Sequence, residues 1–304
     1  MQRVQERVNE DFSNEKISRW TRKGAVRRSL SLGTVIQYAL LFILIVFTFF
    51  VIVVMVSMSL RPSVLIYADF WHLIPWPITL SNYQASVFPL AMPLVRTLFE
   101  TFASILGVLV LSCPMAYAFA RITFPGRRLL FGMVLVVLMI PGIILLTPNF
   151  ILANQLGLRG SLWGLIVYNI AGGLPLAIFL LTTFLRSQPE EMFFAARIDG
   201  ASDIHILWYI SIPLASSTLV TIGIMNFLGF YSDLIWPSLM LSQNNNTLMM
   251  ALQQFNPVTN QFANRPDLGA QTAGYVVATI PQLIVFIIAM KYYIQGIMSS
   301  SVKA

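Results

Sequence analysis

Ser187-Gln188-Pro189-Glu190-Glu191-Met192-Phe193-Phe194-Ala195-Ala196-Arg197-Ile198-Asp199-Gly200-Ala201-Ser202, closed by Ile210-Ser211-Ile212-Pro213, is a polar, turn-rich stretch set between long apolar segments. Its local chemistry reads as helix, tight turn, helix. Ser187 with Glu190 three residues on fits a capping box, and Pro189 suits a first turn, where its missing N–H costs little. Glu190 and Glu191 complement the positive end of the helix dipole. Gly200 suits the left-handed residue after a helix end, and Ser202 or Asp203 can cap a second short helix running to about Ile210. Met192, Phe193, Phe194, Ala195 and Ala196 form an apolar knob, and burying one Phe is worth roughly 1.5–3 kcal/mol. The knob therefore either packs on this chain's own helices or docks on a partner in water.

The surroundings of this stretch are built for lipid. Of the 304 residues, 57% are hydrophobic and 10% are charged, against roughly 25% charged in a soluble domain. A bilayer crossing needs about 20 apolar residues. Six segments qualify, at 36–58, 96–120, 129–152, 161–185, 214–236 and 273–295. The first is too long for a signal-peptide core and is read as an uncleaved span. With residues 1–35 inside, fifteen Lys and Arg fall on the cytoplasmic side and four outside (Arg61, Arg96, Arg159 and Arg265). The net charge of +7 is thus a topology signal and a contact for anionic lipid, not a nucleic-acid footprint. Both termini are expected in the cytoplasm.

This topology makes 59–95 an external loop, expected to be irregular because of Pro75, Pro77, Pro89 and Pro93. It makes 96–295 a core of five spans, with the cytoplasmic loop 186–213 and a polar external loop 237–272 that runs through Gln243, Asn244, Asn260, Gln261 and Asn264. Residues 296–304 form a cytoplasmic tail. Trp71, Trp76 and Trp236 fall near the outer interface.

Chemistry-bearing residues are sparse. Cys113 has no partner for a disulfide, and His72 and His205 stand alone on opposite sides, so no metal set or catalytic constellation is present. No G-x-x-x-x-G-K-[ST] phosphate loop occurs, so ATP hydrolysis is expected on a separate chain. Asp233, near the outer end of the fifth span, either lines a path or outer gate with Phe227 and Tyr231, or makes a structural pair with Arg96. Glu100 and Asn169 are weaker candidates, Asn169 fitting a helix–helix hydrogen bond. Gly160 and Gly164 form a small-xxx-small pair of the common kind.

The 187–213 stretch resembles the signature loop of ABC-importer permeases: E-A-A, three residues, G, nine residues, I-x-L-P. Here Phe194-Ala195-Ala196 precedes Gly200 and then Ile210-Ser211-Ile212-Pro213 at the same spacing, with Phe194 in place of Glu and Ile212 in place of Leu. Ala116-Tyr117-Ala118-Phe119-Ala120-Arg121 with Phe124-Pro125-Gly126-Arg127-Arg128, Ile140-Pro141-Gly142 and Leu156-Gly157-Leu158 look like the carbohydrate-uptake group. Lys291-Tyr292-Tyr293-Ile294-Gln295-Gly296-Ile297-Met298 resembles the tail of the second permease subunit in maltose-type transporters.

The resemblance implies an all-α membrane protein with the type I importer permease fold, multi-pass in a bacterial-type inner membrane. It implies a sugar solute, an oligosaccharide rather than a monosaccharide, with a phosphorylated polyol such as glycerol phosphate as the alternative. The implied partners are a second homologous permease, two cytoplasmic ATPase subunits that hold the ATP and magnesium, and an extracytoplasmic solute-binding protein; the chain itself is expected to bind no cofactor. Glu190, Glu191, Phe193, Phe194, Ala195, Ala196, Asp199, Gly200 and Pro213 would then couple to the ATPase, and Gln295, Gly296, Ser299 and Ser300 would reach it from the tail. A stand-alone secondary carrier would show internal repeats and a mid-membrane ionisable relay, and a membrane enzyme a convergent acid–base set. Neither accounts for the structured cytoplasmic loop.

Overall fold

The computed structural model describes residues 32–255 and 266–301. Most of the expected N-terminal tail, and Asn260, Gln261 and Asn264 of the external loop, lie outside the described residues. The chain falls into two units, Met1–Val53 and Val54–Ala304. The described part of the first belongs to helix α1 (Leu32–Ser59), apolar along its whole length with only hydroxyl, amide and glycine interruptions.

The second unit is helical almost throughout. After α1 come α2 (Ser63–Ala68), α3 (Ser81–Arg121), α4 (Arg127–Met139), α5 (Gly142–Gln155) and α6 (Leu162–Arg186). The loop region then holds α7 (Glu190–Ile198), α8 (Asp203–Ile206), a π-helical turn Leu207–Ser211 and α9 (Ile212–Leu214). It is followed by α10 (Ser216–Tyr231), α11 (Ile235–Met240), a 3₁₀ turn Gln243–Asn245, α12 (Leu248–Gln254) and α13 (Leu268–Ser301).

Four helices are long and apolar enough to cross a bilayer: α1, α3, α6 and the Leu268–Met290 part of α13. The other two expected spans are bent. The third breaks by 104° between α4 and α5, because Ile140 precedes Pro141, whose ring drives it out of the helical region to φ −82°, ψ 119°. The fifth bends by 72° at Ala215, between the Asp203–Leu214 segment and α10. Pro213 has no N–H to give the preceding turn, and the Ile212 N–H bonds Leu207 O, five residues back.

The loop 59–95 is more ordered than its prolines suggested. It contains α2, and its last fifteen residues already belong to α3, which carries Pro89, Pro93 and Pro114 inside a 41-residue helix. A proline's fixed φ is compatible with a helix, so each ring removes one bond without ending the segment. Arg61, 2% exposed, organises the rest: its guanidinium donates to His72 O (2.6 Å), Asp69 O (2.8 Å) and Leu65 O (3.0 Å). Asn82 at the start of α3 donates to Ser59 O and Arg61 O, both at 2.9 Å.

The core forms around α3. Its buried face, Glu100, Ser104, Val108, Ser112 and Ala116, recurs every four residues, and α3 meets α6, whose buried residues include Asn169, Gly173, Ala177 and Leu181. Small residues let the two backbones approach. A Cβ on Gly173 would stand 2.6 Å from Asn226 Oδ1 and 2.9 Å from Val108 Cγ2. Gly164 is likewise a packing position, where a Cβ would lie 2.7 Å from Leu158 O and Met240 Cε. Trp236, expected at the outer interface, is instead a core residue: 1% exposed, stacked on Tyr168 at 3.9 Å, its indole N–H donating to Gly164 O at 3.3 Å.

Candidate functional site

Helix α6 ends at Arg186, and Ser187 closes it: the Ser187 hydroxyl donates to Phe184 O at 2.8 Å. The expected capping box is therefore absent. Pro189 (φ −55°, ψ 133°) occupies the position before α7 and makes no side-chain cap, while Ser187 is spent on the helix behind it. Glu190 and Glu191 do fill the first turn of α7.

The turn after α7 is a Schellman motif. Ala201 N–H bonds Ala196 O at 3.0 Å and Gly200 N–H bonds Arg197 O at 3.1 Å, with Gly200 at φ +84°. Ser202 then caps α8, accepting from His205 N–H at 3.4 Å. The following helix does not stop near Ile210 but continues through the π turn to Leu214, carrying an exposed Pro213.

Two latches fasten this element to the end of α3. Arg121, with a side chain 6% exposed, lies 3.8 Å over the Phe193 ring and donates to Leu185 O and to Gln188 O (2.8 Å). Its ion pair with Glu190 is long, 4.0 Å, and Glu190 is 74% exposed, so screening leaves it little weight. One turn back, the Tyr117 hydroxyl donates to Asp203 Oδ1 at 2.8 Å, and Arg197 donates to the same oxygen at 3.0 Å. Tyr117 and Arg121, four residues apart, share one face of α3 and hold both halves of the loop.

The apolar knob is thus divided. Phe193 is 2% exposed and belongs to the core with Tyr117, Leu181, Leu185 and Ile206; Met192 and Ala196 pack on the same cluster. Packing on the chain's own helices accounts for these three. Phe194 (55% exposed), Ala195 and Ile198 (86%) face away from it, as do Ile204, Trp208 and Tyr209. Asp199 is exposed beside them, and His205 stacks on Tyr209 at 5.5 Å, a surface residue as its solitary place in the sequence suggested. The outward face is apolar, with Glu191 and Asp199 at its ends.

Deeper in the helices, Phe227 and Tyr231 stack at 5.3 Å, 2% and 0% exposed, and the Tyr231 hydroxyl donates to Ala278 O at 2.7 Å. In this conformation both are interior packing residues. Asp233 is half-buried, and its Oδ1 accepts from Ile235 N–H at 3.0 Å, capping α11. Arg96 does not pair with it but donates to Asn244 O at 3.3 Å. Asn169 donates to the buried Glu100, the helix–helix bond its position suggested. A cavity of about 370 Å³ opens between α5 and α6, its polar groups coming from Asn149, Tyr168 and Trp236. Sequence reasoning passed over Asn149 and Tyr168 because neither carries a charge at neutral pH. It also missed Arg121 and Tyr117 as positioning residues, although a Tyr and an Arg four apart at the end of an apolar run were the available signal. Gln295, Gly296, Ser299 and Ser300 fall on the last turns of α13, outside the residues whose side chains are described. No group of three metal-binding side chains occurs among the described residues.

Residues 109–299 match the family described as binding-protein-dependent transport system inner membrane component. A trehalose transport system permease protein of Mycobacterium tuberculosis is 33% identical over 88% of this chain and 94% of its own length. A probable ABC transporter permease protein of Pyrococcus horikoshii is 30% identical over 81% of this chain and 89% of its own. Among solved structures, a chain from a bacterial ABC transporter involved in the import of the acidic polysaccharide alginate superposes with a TM-score of 0.78. That chain shares 24% identity, over 88% of this chain and 99% of its own, and shows the same fold.

Proposed function

The chain belongs to the family of binding-protein-dependent transport system inner membrane components, and from that premise we propose that it is the permease half of an ATP-driven importer whose solute is an oligosaccharide. It is a multi-pass inner-membrane subunit without catalytic chemistry of its own. In this reading each bent helix pair counts as one crossing, giving six spans, and the basic excess keeps both termini in the cytoplasm. A second permease completes the path, two ATPase subunits bind ATP and magnesium, and an external binding protein delivers solute. The trehalose system's relative favours a sugar over a phosphorylated polyol.

The observation that carries the reading is the division of α7. One face is locked to α3 through Arg121 and Phe193, while Phe194 and Ile198 are left exposed by the described residues. A helix latched on one side and apolar on the other is suited to enter a groove on an ATPase. Closure of the ATPases would then move α3 and α6 with it. Asp233, with Glu100 behind it, and the Asn149–Tyr168 cavity are the polar groups available to a solute path. Phe227 and Tyr231 would support its wall.

Co-purification from the native host tests this. The wild type should bring an ATPase and a second permease, and Phe194→Asp/Ile198→Asp should lose the ATPase while remaining inserted. Retention of the ATPase by that variant would place the coupling surface elsewhere. Uptake of labelled trehalose-type oligosaccharides against glycerol phosphate then separates the two solute classes; selective uptake of the phosphate ester would overturn the sugar assignment.

A further inference from the structure

A second feature lies at the same end of the helices, beside the coupling loop. Between the ends of α3, α4 and α6 lies an open cavity of about 950 Å³, lined by Arg121, Arg127, Arg128 and Arg186 with Phe124 and Phe131. Among the described residues, Glu190 is the only acidic one on its wall. The arginines are held by neutral partners, which position them without cancelling their charge. Arg127 donates to Ile122 O (3.2 Å) and Ala120 O (3.4 Å), and Arg186 donates to Phe119 O (3.0 Å) and lies over the Phe131 ring at 4.8 Å. Arg121 is nearly enclosed, and its Nε–H has no hydrogen-bond partner among the described residues. Arg128 is exposed and makes no hydrogen bond or ion pair among the described residues.

Four guanidiniums facing one carboxylate, itself 4.0 Å from Arg121, demand an anion. The fork geometry of arginine matches phosphate oxygens in pairs. The position selects the source of that phosphate. Each of the three helix ends closes an apolar segment, so the cavity stands at headgroup depth. From it Leu129, Leu130 and Met133 run down α4 at 65%, 46% and 53% exposure, an uncovered apolar track. Basic pockets between spans on the cytoplasmic side are suited to anionic headgroups.

We propose that this cavity binds one anionic phospholipid, its phosphodiester held by Arg127, Arg128 and Arg186 and an acyl chain lying along α4. The lipid would pack beside Phe131 and stiffen the α3–α4 turn on which Arg121 is mounted.

The test is native mass spectrometry of the delipidated transporter complex, titrated with phosphatidylglycerol, phosphatidylcholine or inorganic phosphate. Wild-type complex should prefer phosphatidylglycerol to phosphatidylcholine. Each arginine near a lipid surface is worth roughly a fivefold change, so Arg128→Gln/Arg186→Gln should weaken phosphatidylglycerol roughly thirtyfold and leave phosphatidylcholine unchanged. Arg128→Gln alone removes no bond of the fold; it should lose roughly fivefold at unchanged thermal stability, and Arg128→Lys should recover most of it. Equal phosphatidylglycerol affinity in wild type and variants would overturn the proposal. So would inorganic phosphate binding as tightly as the lipid, which would make this a free-anion site. Binding is read without transport, so either failure leaves the importer reading untouched.

Discussion

Replacing Arg121 with Met separates the seat of the coupling loop from the rest of the fold. The substitution keeps an unbranched apolar stem against Phe193 but removes two charge-assisted hydrogen bonds, to Leu185 O and Gln188 O, and a cation–π contact at 3.8 Å. Bonds from a charged donor are worth about 1.5–3 kcal/mol each, and a desolvated cation–π contact about 2 kcal/mol. These groups act as a unit and do not add, so a net loss of about 3–5 kcal/mol is expected. Even the lower figure changes the seated population of α7 by more than about a hundredfold. The Glu190 pair contributes negligibly at 4.0 Å with Glu190 largely exposed. The assay is solute-stimulated ATPase activity of the reconstituted complex, compared with its basal rate. Arg121→Met should retain basal hydrolysis and lose most of the stimulation, whereas Arg121→Lys, which keeps N–H donors for the carbonyls but loses the planar guanidinium over Phe193, should be intermediate. Wild-type stimulation in Arg121→Met would refute the idea that this side chain seats the loop.

Gly200→Val should uncouple the complex in the same assay, because a β-branched residue at φ +84° costs more than the about 1–2 kcal/mol usual for L-residues there, and Gly200→Asn should be far milder. Phe193→Ala should destabilise the protein in detergent by about 3–5 kcal/mol, while Phe194→Ala should leave the melting temperature alone and weaken only ATPase retention; equal effects on melting would contradict the division of the knob. Gly173→Leu should lower thermal stability by about 1–3 kcal/mol or more, since its Cβ alone would lie 2.9 Å from Val108 Cγ2 on α3, and a variant as stable as wild type would mean that α3 and α6 can separate without penalty.

What could be read in advance divides along a physical line. Length and hydropathy pointed to the four helices long and apolar enough to cross a bilayer and to the two bent pairs, each read as one segment, because burial in lipid is a property of composition. They could not show that Ile140–Pro141 turns one of them by 104°, since a proline is compatible with a straight or a broken helix and the neighbours decide. Gly200 and Ser202 were legible because a left-handed turn and a cap are local demands. Ser187 was misread because its hydroxyl has two helices within reach and bonds the one behind it. Phe193 and Phe194 are indistinguishable as letters. Only the register of α7 against α3 sends one ring under Arg121 and the other into water. Phe227 and Tyr231 are stacked and buried in this conformation, an arrangement not legible in advance, since aromatic spacing along a helix does not say which side faces a neighbour.

On the reading proposed above, the arrangement of α3 would let the loop report on events across the membrane. At its start Asn82 is bonded to Ser59 O and Arg61 O, and Ser86 Oγ donates to Ala270 O at 2.5 Å, so this end is tied to the external loops. At its finish Tyr117 and Arg121 hold α8 and α7. The 35 residues from Asn82 to Tyr117 span about 50 Å at 1.5 Å per residue, enough to cross the whole bilayer in one element. A displacement imposed on α7 therefore needs no chain of weak contacts to reach the outer surface, only the rigidity of a single helix. Its prolines set the limit on that rigidity. Pro89 and Pro93 lie near the outer end and Pro114 just before the Tyr117 latch, so the helix is softest beside its two attachments and stiffest along the α6 seam between them. On the proposed reading, bending would concentrate near the two ends of α3, and its packed middle would move as one body with α6.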